Sequence, residues 1–165
     1  MTVRALPPFQ QVIEHHGADV WRFSASQVGA HRADDLFQET MLAALSAYPS
    51  LRDAGATRPW LFRIAARKAV DLFRATARAP VPVAEPEEGP APPPERPDEE
   101  LWSLVRALPD KQRQAVALRF VVDLDYAQVG EAMGTSSEAA RRNVFEALRT
   151  LRTLAGVDPS PGRRR

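Results

Sequence analysis

The 165-residue sequence is long enough for one medium domain or two small ones, and its 44% apolar content is too high for a fully disordered chain. It contains no cysteine, which excludes disulfides, thiol chemistry and cysteine-based zinc sites. No apolar stretch approaches the ~20 residues that cross a bilayer, and the first residues lack the apolar segment of a signal peptide. We therefore expect a cytoplasmic protein without a membrane segment.

Charge is distributed unevenly along the chain. Residues 1–78 hold 10 basic against 7 acidic side chains, and residues 101–165 hold 11 against 7. Residues 79–100 hold 1 basic side chain against 7 acidic ones. Two mildly basic ends joined by an acidic middle favour nucleic-acid contacts at both ends over a compact enzyme.

The acidic middle also carries 8 of the 15 prolines, all between residues 79 and 100. Proline removes amide donors and fixes an extended backbone, so this segment is predicted to be a flexible linker. The alternative is a proline-rich ligand for a signalling domain. We expect an all-α protein with helical domains over 1–78 and 101–155 and a disordered basic tail over 156–165.

Three helices are predicted in the first domain. Apolar side chains recur at helical spacing from residue 9 to about residue 29 and again over 33–48, with a period near 3.6. After a loop over 49–58, Thr57 is the expected N-cap of a third helix that ends near Arg78. Its aromatic residues Trp60 and Phe73 are assigned to the core, with base stacking as the alternative.

The second domain begins with a short helix that Pro109 stops, followed by a helix that opens at Asp110. Asp125 and Gln128 have the spacing of a capping box. A turn near residue 134 then leads to a final helix, capped by Ser136, that runs to about residue 154. Two helices joined by a short glycine-containing turn indicate a helix-turn-helix.

The final helix has an apolar stripe that is predicted to pack inward, formed by Ala140, Val144, Ala147 or Leu148, and Leu151. Its opposite face carries Glu138, Arg141, Arg142, Phe145, Arg149 and Arg152. Guanidinium groups on the second helix of such a motif contact guanine edges or phosphates, although a solvated face would look similar. Phe145 either stacks on a sugar or thymine methyl or covers neighbouring side chains.

Two surfaces of the first domain also carry patterned charge. The outward face of the second helix is acidic with one leucine, which suits a basic helical partner or is simply solvated. It comprises Asp34, Asp35, Gln38, Glu39 and Leu42. The third helix carries a basic stripe that would follow a phosphate backbone. That stripe comprises Arg63, Arg67, Lys68, Arg74 and Arg78.

These segments together resemble bacterial sigma-70-family factors. The first domain resembles their second region in motifs at residues 33–40, 60–65 and 71–74. The second domain resembles their fourth region at residues 108–113 and 124–130 and in the final helix. With only these two regions and a linker, the chain resembles the small extracytoplasmic-function (ECF) group.

The resemblance implies a division of labour between the two domains. The first would bind the clamp helices of the polymerase β′ subunit through Asp35, Gln38, Glu39 and Leu42. Its loop over 50–58 and its basic stripe would engage and open the −10 promoter element. The second would meet the β flap and read the −35 element. The expected −35 contacts are Ser136, Glu138, Arg141, Arg142, Asn143, Phe145 and Arg149.

Two departures from the family pattern bear on DNA contacts. Family members often carry Asn at the position of Arg67. Their final helix usually has a Lys-Ser-Arg-x-His-Arg-Ala-Arg-like run, whereas residues 141–148 here read Arg-Arg-Asn-Val-Phe-Glu-Ala-Leu. Fewer cations in its second half weaken phosphate contacts there, and base preferences do not transfer from relatives.

The resulting hypothesis is a promoter-specificity subunit that is not an enzyme and needs no cofactor. His15, His16 and His31 lack the spacing of a metal site, and no phosphate-binding loop or nucleophile motif occurs. A monomer that binds core polymerase, promoter DNA and an anti-sigma factor is expected. The alternatives are a dimeric, stand-alone helix-turn-helix regulator and a sigma-like decoy that binds polymerase without initiating.

Overall fold

The computed structural model describes residues 5–78 and 99–157, so residues 79–98 of the predicted linker and most of the predicted tail lie outside it. Within these ranges all regular structure is helical, which confirms the predicted fold class. The helices are α1 (Phe9–Val28), α2 (Ala30–Ala47), α3 (Thr57–Arg78), α4 (Glu99–Arg106), α5 (Asp110–Phe120), α6 (Tyr126–Met133) and α7 (Ser137–Leu154). Because α4 begins at Glu99, the last two residues of the predicted linker are helical.

Helices α1 to α3 form the first helical body. Gly29 alone separates α1 from α2, and its φ of 84° lies in a region that side chains with a Cβ rarely adopt. The rings of Phe23 and Phe62 meet edge to face with centroids 6.0 Å apart, and both are fully buried with Leu36. This buried cluster fixes the relative positions of the α2 and α3 outer faces.

The start of α3 differs from the sequence prediction. Thr57 has helical backbone angles, with φ −55° and ψ −44°, and its Oγ1 donates a hydrogen bond to the Ala54 carbonyl 2.8 Å away. An N-cap residue is extended and accepts a bond from an amide, so the prediction that Thr57 caps α3 is wrong. The preceding 3₁₀ turn, Ala54–Ala56, continues without a break into the helix.

The helix-turn-helix forms as predicted. The Asp125 carboxylate accepts from the Gln128 amide at 2.8 Å, and the Asp125 amide donates to Gln128 Oε1 at 3.1 Å, which completes the capping box. Gly134 ends α6 in the left-handed conformation, and the Ser136 hydroxyl caps α7 by accepting from Ala139 N at 3.1 Å. These local bonds set the angle at which α7 leaves the turn.

Helices α4 to α7 form the second helical body. The two bodies pack against each other, with α3 against α6 and α1 against α4 and α5. The buried Gln114 side chain donates through Nε2 to the Ala66 carbonyl at 3.0 Å. Arg58 donates to the Val122 carbonyl and lies 3.4 Å from the Asp19 carboxylate. One apolar cluster thus spans both bodies, and a smaller second cluster joins α4, α5 and α7.

The predicted core aromatics of α3 divide between the core and this interface. Trp60 packs against the core beside Tyr48, with ring centroids 6.0 Å apart, as predicted. Phe73 is only half-buried, and the Arg113 guanidinium lies 4.2 Å from its ring centroid. Its assignment to the core of the first domain is therefore wrong, since its partner is a cation of the second body.

Candidate nucleic-acid and partner interfaces

The acidic face of α2 is exposed as predicted, and Leu42 stands out with 65% of its surface accessible. Asp35, Gln38, Glu39 and Leu42 border a groove of about 480 Å³ between α2 and α3. Asp34 differs from these residues, since its Oδ1 accepts a 2.8 Å hydrogen bond from the Trp21 indole. An exposed leucine flanked by carboxylates provides apolar contact area together with charge complementarity for a basic helix.

The five cations predicted along α3 do not share one surface. Arg63, Arg67 and Arg74 are exposed and line a groove of about 270 Å³. The opposite wall of this groove comes from the helix-turn-helix, at residues 132–134. Lys68 lines a second groove together with Arg63 and Arg67, and its Nζ lies 3.7 Å from Glu39 on α2. Lys68 therefore lies between the basic stripe and the acidic α2 face.

The loop between α2 and α3 is ordered by short-range bonds and tied to the second body. The Asp53 carboxylate accepts from Gly55 N at 2.8 Å, and Arg58 at the start of α3 contacts Asp19 and Val122. Burial is the largest cause that lowers the pKa of the neighbouring His16, and the positive charge of Arg58 lowers it further.

Helix α7 presents its predicted outward residues to solvent. Glu138, Arg141, Arg142 and Arg149 are exposed, and Phe145 is 63% accessible. Ala140, Val144 and Ala147 are buried on the opposite face, which confirms the two-sided pattern.

An aromatic–cation cluster lies where α6 and α7 begin. The Arg141 guanidinium lies 4.7 Å from the ring centroid of Tyr126, and the Arg119 guanidinium lies 5.5 Å from it. Arg119 also pairs with Asp123 at 3.2 Å. Tyr126 and Arg119 are not predicted as site residues from the sequence, because fifteen positions and a turn separate Tyr126 from Arg141 and no periodicity connects them.

The predicted DNA-binding helices meet at one cleft of about 780 Å³ between α3 and α7. Arg74 lines it from α3, and Arg142 and Asn143 line it from α7. Arg113, which is 6% exposed, supports the cleft from α5 and donates to the Arg106 carbonyl at 2.9 Å. Burial lowers its pKa, while Asp110 at 2.6 Å opposes this effect.

Within residues 5–78 and 99–157 no group of three or more His, Asp or Glu side chains has a metal-binding arrangement. Across the same ranges, no helix combines the length and hydrophobicity needed to cross a bilayer. The fold defines a helix-turn-helix protein with an additional helical domain.

Comparison with known proteins identifies the family. Residues 12–79 match the Sigma-70 region 2 family and residues 98–151 match Sigma-70, region 4. The ECF RNA polymerase sigma factor ShbA of Streptomyces griseus is 36% identical over 143 residues, which cover 76% of this chain and 72% of that protein. SigD of Mycobacterium tuberculosis is 35% identical over 160 residues, which cover 87% of this chain and 74% of that protein. The chain belongs to the ECF sigma factors of the sigma-70 family.

Solved structures share the fold. The sigma factor RpoE of Bartonella quintana, in complex with the anti-sigma factor NepR, aligns with a TM-score of 0.74 and 20% identity over 91% of this chain and 98% of that chain. CnrH, in complex with the cytosolic domain of CnrY, aligns with a TM-score of 0.68 and 23% identity over 91% and 88%. The family matches assign the first helical body to sigma region 2 and the second to sigma region 4.

Proposed function

We propose that this chain directs core RNA polymerase to promoters through three separate surfaces. The exposed α2 face around Asp35 and Leu42 binds the β′ clamp helices. Arg63, Arg67 and Arg74 on α3, with the loop over 50–58, engage and open the −10 element. The outward face of α7 reads the −35 element while region 4 meets the β flap. The observation that carries the proposal is that exposed guanidinium groups line both α3 and α7.

The surfaces account for the proposed activity without catalysis by this chain. Polymerase supplies the chemistry, and the sigma factor supplies base contacts and the free energy that opens the duplex. It works without a cofactor, in the cytoplasm with polymerase, and is a monomer when free. The anti-sigma factor NepR, bound to the similar RpoE of Bartonella quintana, supports an anti-sigma partner for this chain as well.

The packing of regions 2 and 4 has a geometric consequence for this function. The two promoter elements lie about 25 base pairs apart, which corresponds to about 85 Å along a straight duplex. Arg74 and Arg142, by contrast, line one cleft. One duplex cannot place both elements on these residues in this arrangement, so regions 2 and 4 must separate when polymerase and promoter are bound.

The absence of cysteine makes a cleavage experiment direct, since one introduced thiol gives a single labelling site. An iron chelate attached at Thr76→Cys on α3 or at Ser137→Cys on α7 would cleave nearby DNA in the polymerase–promoter complex. We expect cleavage at the −10 element from α3 and at the −35 element from α7. Cleavage of the same box by both labels, or two-fold symmetric cleavage without polymerase, would instead indicate a stand-alone regulator. The unlabelled cysteine-free chain is the control.

A further inference from the structure

The cluster around Tyr126 joins the three elements of the helix-turn-helix. Tyr126 is the first residue of α6 and packs against the core through part of its ring. The guanidinium groups of Arg119 from α5 and Arg141 from α7 lie over that ring at 5.5 and 4.7 Å from its centroid. Asp123, in the turn before α6 at φ 60°, pairs with Arg119 at 3.2 Å. An aromatic ring fixed to the core thus contacts an exposed cation of α7.

This contact has a specific effect on an arginine that reads bases. An exposed arginine samples many rotamers, and confining it to one costs side-chain entropy. A guanidinium that lies over a ring interacts through its face, while its N–H donors point outward in its own plane. The donors of Arg141 therefore stay available for the N7 and O6 atoms of a guanine.

Arg119, the second cation of the cluster, does not prevent the Tyr126 ring from holding Arg141. Arg119 and Arg141 repel each other across the same ring, which alone would drive Arg141 away. The Asp123 carboxylate offsets the charge of Arg119, and the left-handed backbone that places Asp123 there is one that aspartate tolerates. The ring therefore remains an attractive surface for Arg141.

We propose that Tyr126 is a positioning residue for −35 recognition, whose ring holds the Arg141 guanidinium in the orientation that enters the major groove. The proposal rests on the proposed function of α7 as the −35 reader. It assigns Tyr126 no contact with DNA.

The test is transcription by the reconstituted holoenzyme from a promoter selected for this sigma factor, with the −35 box intact or scrambled. The readout is the ratio of transcript from the two templates. Tyr126→Phe keeps the ring and should leave the ratio within about twofold of the parent. Tyr126→Leu removes the ring face and should lower the ratio about three- to tenfold.

A double-mutant cycle separates positioning from loss of packing. In an Arg141→Ala background, Tyr126→Leu should lower the ratio no further, because the cation that it positions is gone. An equal loss in both backgrounds would overturn the proposal. Should Tyr126→Leu fail to fold, ring-fluorinated phenylalanines at position 126 keep the shape and weaken the ring face, and the ratio should fall with each added fluorine. A transcript ratio that does not change with the number of fluorines would also overturn the proposal.

The same experiment distinguishes failure of this inference from failure of the proposed function. If the parent holoenzyme transcribes equally from intact and scrambled −35 templates, α7 does not read that element and both proposals are wrong. If the parent depends on the −35 box and Arg141→Ala keeps that dependence, only the inference is overturned.

Discussion

The Gln114 side-chain amide donates a 3.0 Å hydrogen bond to the Ala66 backbone carbonyl, across the boundary between regions 4 and 2. Gln114 is 5% exposed, so this bond is shielded from water and from competing donors. It joins α5 to the middle of α3, the helix that carries the proposed −10 contacts. The bond, together with Arg58 and Arg113, fastens the two regions in the packed arrangement.

Removing this bond should loosen the packing of the two regions. Gln114→Ala eliminates a buried donor and leaves a small void, and we expect a loss of about 1–3 kcal/mol in the free energy of unfolding. Urea denaturation measures the loss, and fluorophores on α3 and α7 report the distance between the regions. Gln10→Ala is the matched control, since Gln10 is exposed and its side chain donates to Glu14 of its own helix. Unchanged stability and distance in Gln114→Ala would contradict the role of this contact.

Reversing one charge on α2 should strongly weaken polymerase capture. Asp35→Arg places a cation on the acidic face, and repulsion from a basic partner helix should weaken core binding at least tenfold without unfolding the domain. Co-purification with core polymerase checks this, and circular dichroism checks the fold. Glu14→Arg makes the same change on exposed α1 and should bind like the parent. Equal capture by both variants would refute the assignment.

A single arginine of α7 should account for a measurable part of −35 recognition. Arg142 is exposed and lines the cleft toward α3, and loss of a guanine or phosphate contact costs about 1–3 kcal/mol. Arg142→Ala should therefore lower transcription from a −35-dependent promoter about fivefold or more. Arg152→Ala, in the last turn of the same helix, removes the same charge and should have little effect. Comparable losses from both variants would indicate general electrostatics rather than recognition.

Gly130 should tolerate no side chain, because α6 and the turn approach each other closely at this point. A Cβ at this position would lie 2.9 Å from the Thr135 carbonyl oxygen and 2.9 Å from the Ser136 carbonyl carbon, both backbone atoms that cannot rotate away. Gly130→Ala should destabilise the protein by about 1–3 kcal/mol and displace α7. Thermal unfolding and −35-dependent transcription measure both effects.

Gly17→Ala is the matched control for that substitution. Its Cβ would meet Ile13 Cγ2 at 3.6 Å, an ordinary contact, in the middle of α1. Alanine favours the helix over glycine, so the control should be neutral or slightly stabilising. A Gly130→Ala variant as stable as this control would show that the turn relaxes without cost.

His16 should make stability depend on pH. Burial, then Arg58 and His15, lower its pKa below the ordinary 6.5, and Asp19 opposes them. As the pH falls below 6.5, His16 binds a proton in the unfolded chain but not yet in the folded chain. The free energy of unfolding should therefore decrease. The decrease stops once the pH is below the folded pKa. His16→Gln should lose this component in denaturation curves recorded from pH 8 downward, whereas an unaltered slope would contradict it.

Local features of the sequence predicted much of the fold. The apolar periodicity of α2 and α7, the Asp125 capping box and the Ser136 cap depend on neighbours within four residues, so the chain itself displays them. Thr57 and Phe73 were misassigned because their contacts depend on features that the local sequence pattern does not show. Thr57 bonds the Ala54 carbonyl of a 3₁₀ turn, and Phe73 contacts Arg113 of region 4.

The candidate site likewise has parts that helical spacing predicts and parts that depend on packing between helices. Exposure of the α2 and α7 faces followed from helical spacing, whereas the position of Lys68 beside Glu39 depends on how α3 packs on α2. The packing of region 2 on region 4 rests on contacts such as Gln114–Ala66, which join residues 48 positions apart. No pattern in the sequence encodes contacts of that kind.

The most direct test of the account is run-off transcription by purified core polymerase on a promoter library, with and without this chain. We predict transcripts that start at defined positions only when the chain is present, downstream of two dissimilar boxes near −35 and −10. Start sites identical with and without the chain, or no association with the core enzyme, would contradict its role as a promoter-specificity subunit.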